Sequence, residues 1–203
     1  MLLYSMSSAS KNTRERILKS TINLLEASQG KGVRMSDIAK GAEVSRQALY
    51  LHFKTRADLL IEVTYYLDDL KGSEERLLAS RTAKTGIERL NAYITAWGGY
   101  IPEIYSIARV LIAMSDTDEA AATAWSKRMQ DMREGCEAAI RALERDNMLR
   151  SDYSPDQATD ILWTMLSVRN WEQLTRECGW SQQKYIATQK SLAQCIFVKT
   201  EKT

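Results

Sequence analysis

Residues 35–53, Met35-Ser-Asp-Ile-Ala-Lys-Gly-Ala-Glu-Val-Ser-Arg-Gln-Ala-Leu-Tyr-Leu-His-Phe53, decide the fold class of this chain. The stretch predicts two short helices joined by a tight turn, because small or branched residues occupy the inner positions and polar residues occupy one outer face. This layout is typical of a helix-turn-helix, in which the second helix enters the major groove of DNA.

Three residues of this stretch set the expected ends of its helices. Ser36 and Ser45 are predicted N-caps of the first and second helix, since a serine hydroxyl accepts a hydrogen bond from a free amide of the first turn. Glu43 stands where such turns usually carry glycine. If the backbone is left-handed there, a residue other than glycine costs roughly 1 kcal/mol, which a packed domain tolerates.

The second helix is expected to present a polar face to solvent. Its outward positions are Arg46, Gln47 and Tyr50, with Leu51 as a further candidate, because Leu49 and Phe53 belong to the inward face. Arginine can pair with guanine and glutamine with adenine, while tyrosine can donate to a phosphate or pack on a thymine methyl. The alternative is an ordinary solvated surface, since polar side chains are mostly exposed.

Basic residues at the end of this helix suit a different kind of contact. His52, Lys54 and Arg56 are expected to contact phosphates, which fix the register of a protein on DNA without reading its sequence. The complete predicted DNA-binding set is Ser36, Ser45, Arg46, Gln47, Tyr50, His52, Lys54 and Arg56.

A wider set of residues between Thr13 and Leu60 resembles the N-terminal domain of TetR-family transcriptional regulators. The resemblance rests on Thr13-Arg-x-x-Ile17-Leu18, Leu24-Leu25, Gly32-Val33, Ile38-Ala39, Val44-Ser45, Leu49-Tyr50-x-His52-Phe53 and Leu59-Leu60. It implies an all-helical homodimer that binds a palindromic operator and releases it when a small molecule binds. By position, the outward residues of the second helix look like the family's recognition contacts, and the basic residues that follow look like its backbone contacts.

Composition and charge agree with a DNA-binding segment on a larger body. Residues 1–58 carry ten Lys and Arg against five Asp and Glu, a charge of +5, which leaves −3 for the rest of a chain whose net charge is +2. A basic segment of this kind suits nucleic acid, although small domains also carry such a charge without binding DNA. The chain has only two prolines, which favours long helices.

Several classes of site and protein are not expected. Three widely spaced cysteines favour reduced, buried and inert thiols over a disulfide framework or a redox sensor. A single histidine argues against a Cys/His metal site. No catalytic motif is present, so neither an enzyme nor a cofactor is predicted. The start of the chain is a poor signal peptide and no membrane span is predicted, so the expected location is cytoplasmic.

The predicted architecture is all-α, with about nine helices in two domains. Residues 1–58 form the DNA-binding domain, with 1–11 as a flexible arm, and residues 59–203 form a ligand-binding and dimerisation domain. A first helix is expected over Thr13 to Ser28, a fourth from a Thr55 cap to a break near Gly72, and a later one that stops before Pro102. The last two helices are expected to begin at caps Ser154 and Ser181, the first of them ending at Gly179.

The larger domain offers two further hypotheses. Its last two helices carry more apolar residues than one packing seam needs, which favours a four-helix interface between two copies over ordinary core. They are Ile161, Leu162, Met165, Val168, Leu174, Tyr185, Ile186, Leu192 and Ile196. An aromatic pocket for a small-molecule effector is predicted from Trp97, Tyr100, Trp125, Met129 and Trp163, the alternative being that these side chains only fill the core.

The function these patterns favour is that of a ligand-responsive transcriptional regulator, a repressor released from its operator by a small apolar or aromatic effector. Three alternatives remain open at this stage. They are a DNA-binding protein without an effector, an activator on the same scaffold, and an all-helical enzyme or interaction module that only looks like a DNA-binding protein.

Overall fold

The computed structural model describes residues 8–28 and 32–199. Within these residues the fold is all-α, as predicted, with ten α-helices, one π-helical turn and a single isolated β-bridge between Leu149 and Val198. The α-helices are α1 Ser8–Ser28, α2 Met35–Gly41, α3 Arg46–His52, α4 Arg56–Leu70, α5 Ser73–Arg81, α6 Gly86–Met114, α7 Glu119–Arg145, α8 Pro155–Met165, α9 Val168–Glu172 and α10 Gln182–Phe197, and the π-helical turn is Gln173–Glu177.

The first helix begins earlier than its sequence pattern indicates. α1 starts at Ser8, so residues 8–11 of the predicted flexible arm are helical, and the Thr13 hydroxyl donates to the Ala9 carbonyl at 3.0 Å. Residues 1–7 of that arm lie outside the described residues. Helical periodicity reports an apolar face, and polar residues can extend a helix without extending that face.

Helix α6 contradicts the prediction that a helix stops before Pro102. It is continuous from Gly86 to Met114 and contains Pro102. Proline cannot donate to the carbonyl four residues earlier, which is that of Gly98. In this structure the Gly98 carbonyl instead accepts from the Gln182 side-chain amide at 2.5 Å, so a residue of α10 supplies the missing hydrogen bond.

The region predicted as one helix between Ser154 and Gly179 is divided. Ser154 is the N-cap of α8, which confirms the predicted cap, and it also forms a capping box with Gln157. Ser167 then caps a second helix, α9, by accepting from the Asn170 amide at 3.2 Å, and the π-helical turn follows. The predicted cap of the last helix is also confirmed, because Ser181 accepts from the Lys184 amide.

The chain divides into two compact units. Unit 1 comprises Met1–Asp68 and Ser106–Arg128, and unit 2 comprises Asp69–Tyr105 and Met129–Thr203, so α6 and α7 each contribute residues to both. The core of unit 1 draws on α1 to α4 and on the parts of α6 and α7 that belong to this unit, including Ile107, Leu111 and Ala121. The predicted boundary after residue 58 remains a prediction.

Close helix packing in unit 1 depends on a glycine. A Cβ atom on Gly41, at the end of α2, would lie 2.5 Å from the Ser20 Oγ of α1. That hydroxyl donates to the Ile38 carbonyl at 3.3 Å. The absence of a side chain at Gly41 therefore lets α1 and α2 approach and lets a buried serine find a partner.

Unit 2 contains all three cysteines, and they differ in environment. Cys136 is buried, and burial raises the pKa of its thiol to about 12. This thiol is therefore protonated and unreactive at neutral pH. Cys178 and Cys195 are exposed, so the expectation of buried thiols is wrong for these two positions.

Candidate nucleic-acid interface

The turn between α2 and α3 has the geometry that the sequence pattern predicts. Glu43 adopts a left-handed backbone with φ of 54°, so this position carries the backbone cost expected of a residue other than glycine. The Glu43 amide donates to the Lys40 carbonyl at 3.1 Å, and the Val44 amide donates to the Ala39 carbonyl at 3.0 Å. Backbone hydrogen bonds therefore hold the turn in place.

The two predicted serine caps have different outcomes. Ser45 is the N-cap of α3, and its hydroxyl accepts from the Ala48 amide at 3.0 Å, which confirms this cap. The Ser36 cap is wrong, because α2 begins at Met35 and its N-cap residue is Arg34, which makes no side-chain capping bond. Since Met35 is buried, packing moves the start of α2 two residues earlier than a Ser36 cap would place it. Ser36 lies exposed in the first turn of α2.

Helix α3 separates its inner and outer residues cleanly. Leu49 and Phe53 are buried in the core of unit 1, as predicted. The Arg14 guanidinium lies 5.2 Å from the centre of the Phe53 ring and pairs with Glu62, which fixes the end of α3 against α1 and α4. The opposite face is exposed and carries Arg46, Gln47, Tyr50 and Leu51.

The three basic residues after this face are placed differently from one another. Lys54 is exposed, and His52 is half-buried beside the Phe53 ring. Arg56, the first residue of α4, donates its Nε to the Val33 carbonyl at 3.0 Å and pairs through Nη1 with the Asp118 carboxylate. A phosphate contact by Arg56, as predicted, would therefore use the guanidinium N–H groups that are not engaged in these two interactions.

The Arg56–Asp118 pair ties α4 to the start of α7 within unit 1. Burial alone would raise the pKa of Asp118, but the hydrogen bond from Arg56 and those from the Ala120 and Ala121 amides outweigh it and hold that pKa below its ordinary value. Asp118 therefore acts both as an ion-pair partner and as a cap for α7. Sequence reasoning missed this residue, because 62 positions separate it from Arg56.

Comparison with known proteins gives a family match for the helix-turn-helix region. Residues 17–63, which run from the buried part of α1 into α4, match the model for bacterial regulatory proteins of the tetR family. This match and the solved structures described below support a TetR-family transcriptional regulator. Regulators of this family are DNA-binding proteins that act as dimers.

A curated relative and several solved structures extend the likeness beyond the matched domain. The chain is 24% identical over 148 residues to the nucleoid occlusion factor SlmA of Idiomarina loihiensis, across 71% of this chain and 72% of that protein. A Rhodococcus protein described as a TetR-family transcriptional regulator has a TM-score of 0.71 at 18% identity, covering 92% of this chain and 98% of that chain. NalD of Pseudomonas aeruginosa, the secondary repressor of the MexAB-OprM multidrug efflux pump, gives 0.67 at 18%, covering 96% and 100%. These structural likenesses show a shared fold.

The residues predicted to line an effector pocket are divided between the two units. Trp125 belongs to unit 1, where it packs against the core. Trp97, Tyr100, Met129 and Trp163 belong to unit 2. Trp97 and Tyr100 are buried with ring centres 6.1 Å apart, and the Trp97 Nε1 donates to the Leu166 carbonyl at 2.8 Å.

Unit 2 also contains buried polar atoms that sequence reasoning missed. The hydroxyl of Tyr185 and the Oε1 of Gln189, one turn apart on α10, are buried and have no hydrogen-bond partner among the described residues. Other glutamines of the same helix are satisfied by α6, because Gln182 donates to the Gly98 carbonyl and Gln194 donates to Asn91. The sequence could not have indicated these two atoms, because tertiary packing decides which buried side chains lack hydrogen-bond partners.

Neither a membrane-spanning helix nor a metal-binding cluster occurs in the described residues. Within 8–28 and 32–199 no helix is long and apolar enough to cross a membrane. In the same ranges, no group of three or more His, Cys, Asp or Glu side chains is arranged to hold a metal ion.

Proposed function

We propose that this TetR-family regulator is a ligand-responsive repressor that acts in the cytoplasm. A dimer binds a palindromic operator through the α3 helices of its two copies, and a small apolar or aromatic effector releases it. The observation that carries the DNA-binding half of this proposal is the exposed polar face of α3, presented by a helix that Ser45 caps and that Leu49 and Phe53 anchor.

Chemistry at this face supports base recognition. Arg46 and Gln47 are exposed in the first turn of α3, and these side chain types form bidentate pairs with guanine and adenine respectively. Tyr50 lies one turn further on the same face. Lys54 is exposed beyond the helix, where a phosphate contact would fix register. The +5 charge of residues 1–58 favours approach to DNA.

A second copy of the chain is the partner that α8 and α10 suit. Several large apolar side chains on these helices are only partly buried, and Leu192 is 45% exposed. The partly buried ones are Ile161, Trp163, Met165, Ile186 and Ile196. Pairing these two helices with their copies would cover this surface. It would also allow two α3 helices about 34 Å apart to enter successive major grooves.

Unit 2 supports the effector half of the proposal. Ligand pockets combine aromatic lining with a few polar groups that orient the ligand. Trp97 and Tyr100 supply rings, while the unpaired oxygens of Tyr185 and Gln189 supply polar groups that a ligand would satisfy. A ligand that favours one spacing of the two DNA-binding surfaces would shift the population, with a coupling of roughly 1–3 kcal/mol.

Selection of bound duplexes from a random DNA pool tests the DNA-binding half. Wild type is expected to enrich a palindrome, and Tyr50→Ala is expected to lose it while remaining folded. Arg46→Ala should lose preference at one base pair at a cost of roughly 1–3 kcal/mol. Lys54→Ala, the matched control, should weaken all sequences alike and reduce the salt slope by about one. Failure of wild type to enrich any sequence would overturn the proposal.

Titration with small aromatic compounds, such as indole and 2-naphthol, tests the effector half. Binding is expected to change tryptophan emission and to release operator DNA at the same concentrations. Tyr185→Phe should weaken the response to 2-naphthol more than the response to naphthalene, because only the former has a hydroxyl for this site to bind. A panel that changes neither emission nor DNA binding would contradict the effector proposal.

A second candidate function has one observation in its favour. That observation is the 24% identity to nucleoid occlusion factor SlmA. The second candidate is a DNA-binding protein without a small-molecule effector. This candidate predicts tight binding to specific sites that no compound of the panel releases. The same titration therefore separates the two candidates.

A further inference from the structure

Large apolar side chains are exposed at one place in unit 1. Among its described residues, only Tyr50 and Leu51 combine a large hydrophobic side chain with high exposure, 41% and 82% respectively. They are consecutive residues of α3. Tyr50 has a hydroxyl that water or a phosphate can satisfy, whereas the side chain of Leu51 contains only carbon and hydrogen.

The exposed side chain of Leu51 does not contribute to the packing of unit 1. The inner side of α3 is filled by Leu49 and Phe53, which lie two residues before and after it. Successive residues of an α-helix are separated by 100°, so Leu51 points away from both of them. Gln47 precedes it by one full turn and shares its face.

Few groups of DNA suit an aliphatic side chain. The base edges of the major groove present hydrogen-bond donors and acceptors, and the exception is the 5-methyl group of thymine. A leucine directed at donors and acceptors would remove their water without replacing it. A leucine against a methyl group instead buries apolar surface on both partners.

We propose that Leu51 is a specificity-determining residue that contacts a thymine 5-methyl group in each half-site, beside the base pair that faces Gln47. This inference rests on the proposed operator binding, and it adds the chemical identity of one base position. It predicts a thymine at the same position of both halves of the palindrome.

Deoxyuridine, which is thymine without the methyl group, allows a direct test. The operator selected by wild type is synthesised with deoxyuridine in place of thymine, one symmetric pair of positions at a time, and the dissociation constant is measured at fixed salt. At one pair of positions wild type is expected to bind about fifteenfold more weakly, about fourfold for each methyl group. At the other positions the substitution is expected to have little effect.

Variants of the protein identify which side chain reads the methyl group. Leu51→Ala should bind the thymine and deoxyuridine operators equally at the sensitive positions. Gln47→Ala should bind both more weakly but keep the ratio between them. Leu78→Ala, which truncates an exposed leucine of unit 2, should behave as wild type. Circular dichroism would verify that each variant is folded.

The outcomes separate this inference from the function on which it rests. If wild type binds a palindrome but no thymine methyl group matters, or if the ratio persists in Leu51→Ala, the inference is wrong and the proposed operator binding stands. If wild type enriches no sequence, both are wrong.

Discussion

In unit 1 the residues assigned to DNA lie outside the core, whereas in unit 2 most of the residues assigned to a ligand lie within it. Arg46, Gln47 and Tyr50 are exposed on a helix held from behind. Trp97 and Tyr100 are buried, and the Trp97 indole N–H is already paired. The side chains of a DNA-binding surface can therefore be predicted from the local sequence pattern that places them on the exposed face of a helix. A ligand site depends instead on which buried polar atoms the tertiary packing leaves without hydrogen-bond partners.

The largest expected effect separates the two faces of α3. Phe53→Ala removes a ring that is buried in the core and covered by Arg14, so it should lower the free energy of unfolding by about 3–5 kcal/mol. Tyr50→Ala on the exposed face should change it by less than about 0.5 kcal/mol. Urea unfolding followed by circular dichroism measures both. Similar losses for the two variants would show that the faces are not separated.

A smaller effect compares a partly buried ion pair of unit 1 with an exposed one of unit 2. Asp118→Asn keeps an acceptor for the start of α7 but removes the charge that faces Arg56, and should cost about 1–2 kcal/mol at pH 7. Asp156→Asn, which removes the exposed pair with Arg141, should leave the midpoint of unfolding unchanged.

This comparison also has a pH dependence with a defined sign. The folded-state pKa of Asp118 lies below its ordinary value of 3.8, so its ionisation favours the folded state above that pH. As the pH falls through the folded-state pKa, wild type protonates and loses this contribution. The difference between wild type and Asp118→Asn should therefore be constant near neutral pH and shrink in acid. A difference that grows in acid would contradict the assignment.

Two tyrosines within unit 2 separate a satisfied hydroxyl from an unsatisfied one. The Tyr93 hydroxyl donates to the Met132 carbonyl at 2.8 Å, so Tyr93→Phe should cost about 0.5–1.5 kcal/mol. Tyr185→Phe removes a buried hydroxyl without a partner and should leave stability unchanged or slightly higher. Thermal unfolding without ligand compares them. A clear loss for Tyr185→Phe would mean that its hydroxyl is paired in solution, and the polar part of the proposed pocket would lose its basis.

The smallest effect compares the left-handed residues of the two units. Glu43 and Asn147 have φ of 54° and 56°. Asparagine tolerates this conformation better than glutamate, because its short side chain can hydrogen-bond locally. Glu43→Gly should therefore stabilise the protein by up to about 1 kcal/mol, and Asn147→Gly by less. Equal changes in the urea midpoint would contradict this ranking.

Prediction from sequence succeeded where residues close in the chain decide the outcome. The Ser45 and Ser154 caps, the left-handed turn at Glu43 and the exposed face of α3 all follow from neighbours within one or two helical turns. The Ser36 cap failed by two residues, because burial of Met35 extends α2 back to an N-cap at Arg34. Helix capping and helical periodicity depend on residues that are close in the sequence, so they can be predicted from the sequence pattern.

The sequence by itself therefore determined the all-α class, the helix-turn-helix and the side chains that α3 presents. Only the tertiary structure decided that α6 continues through Pro102, that Arg56 pairs with Asp118 and that Tyr185 lacks a partner. Each of these depends on a group from another helix: Gln182 supplies the hydrogen bond that proline cannot make, and Asp118 neutralises an arginine 62 positions away. Buried polar groups need hydrogen-bond partners, and these partners can come from distant parts of the chain. The distance between two residues in the sequence does not indicate whether they will pair.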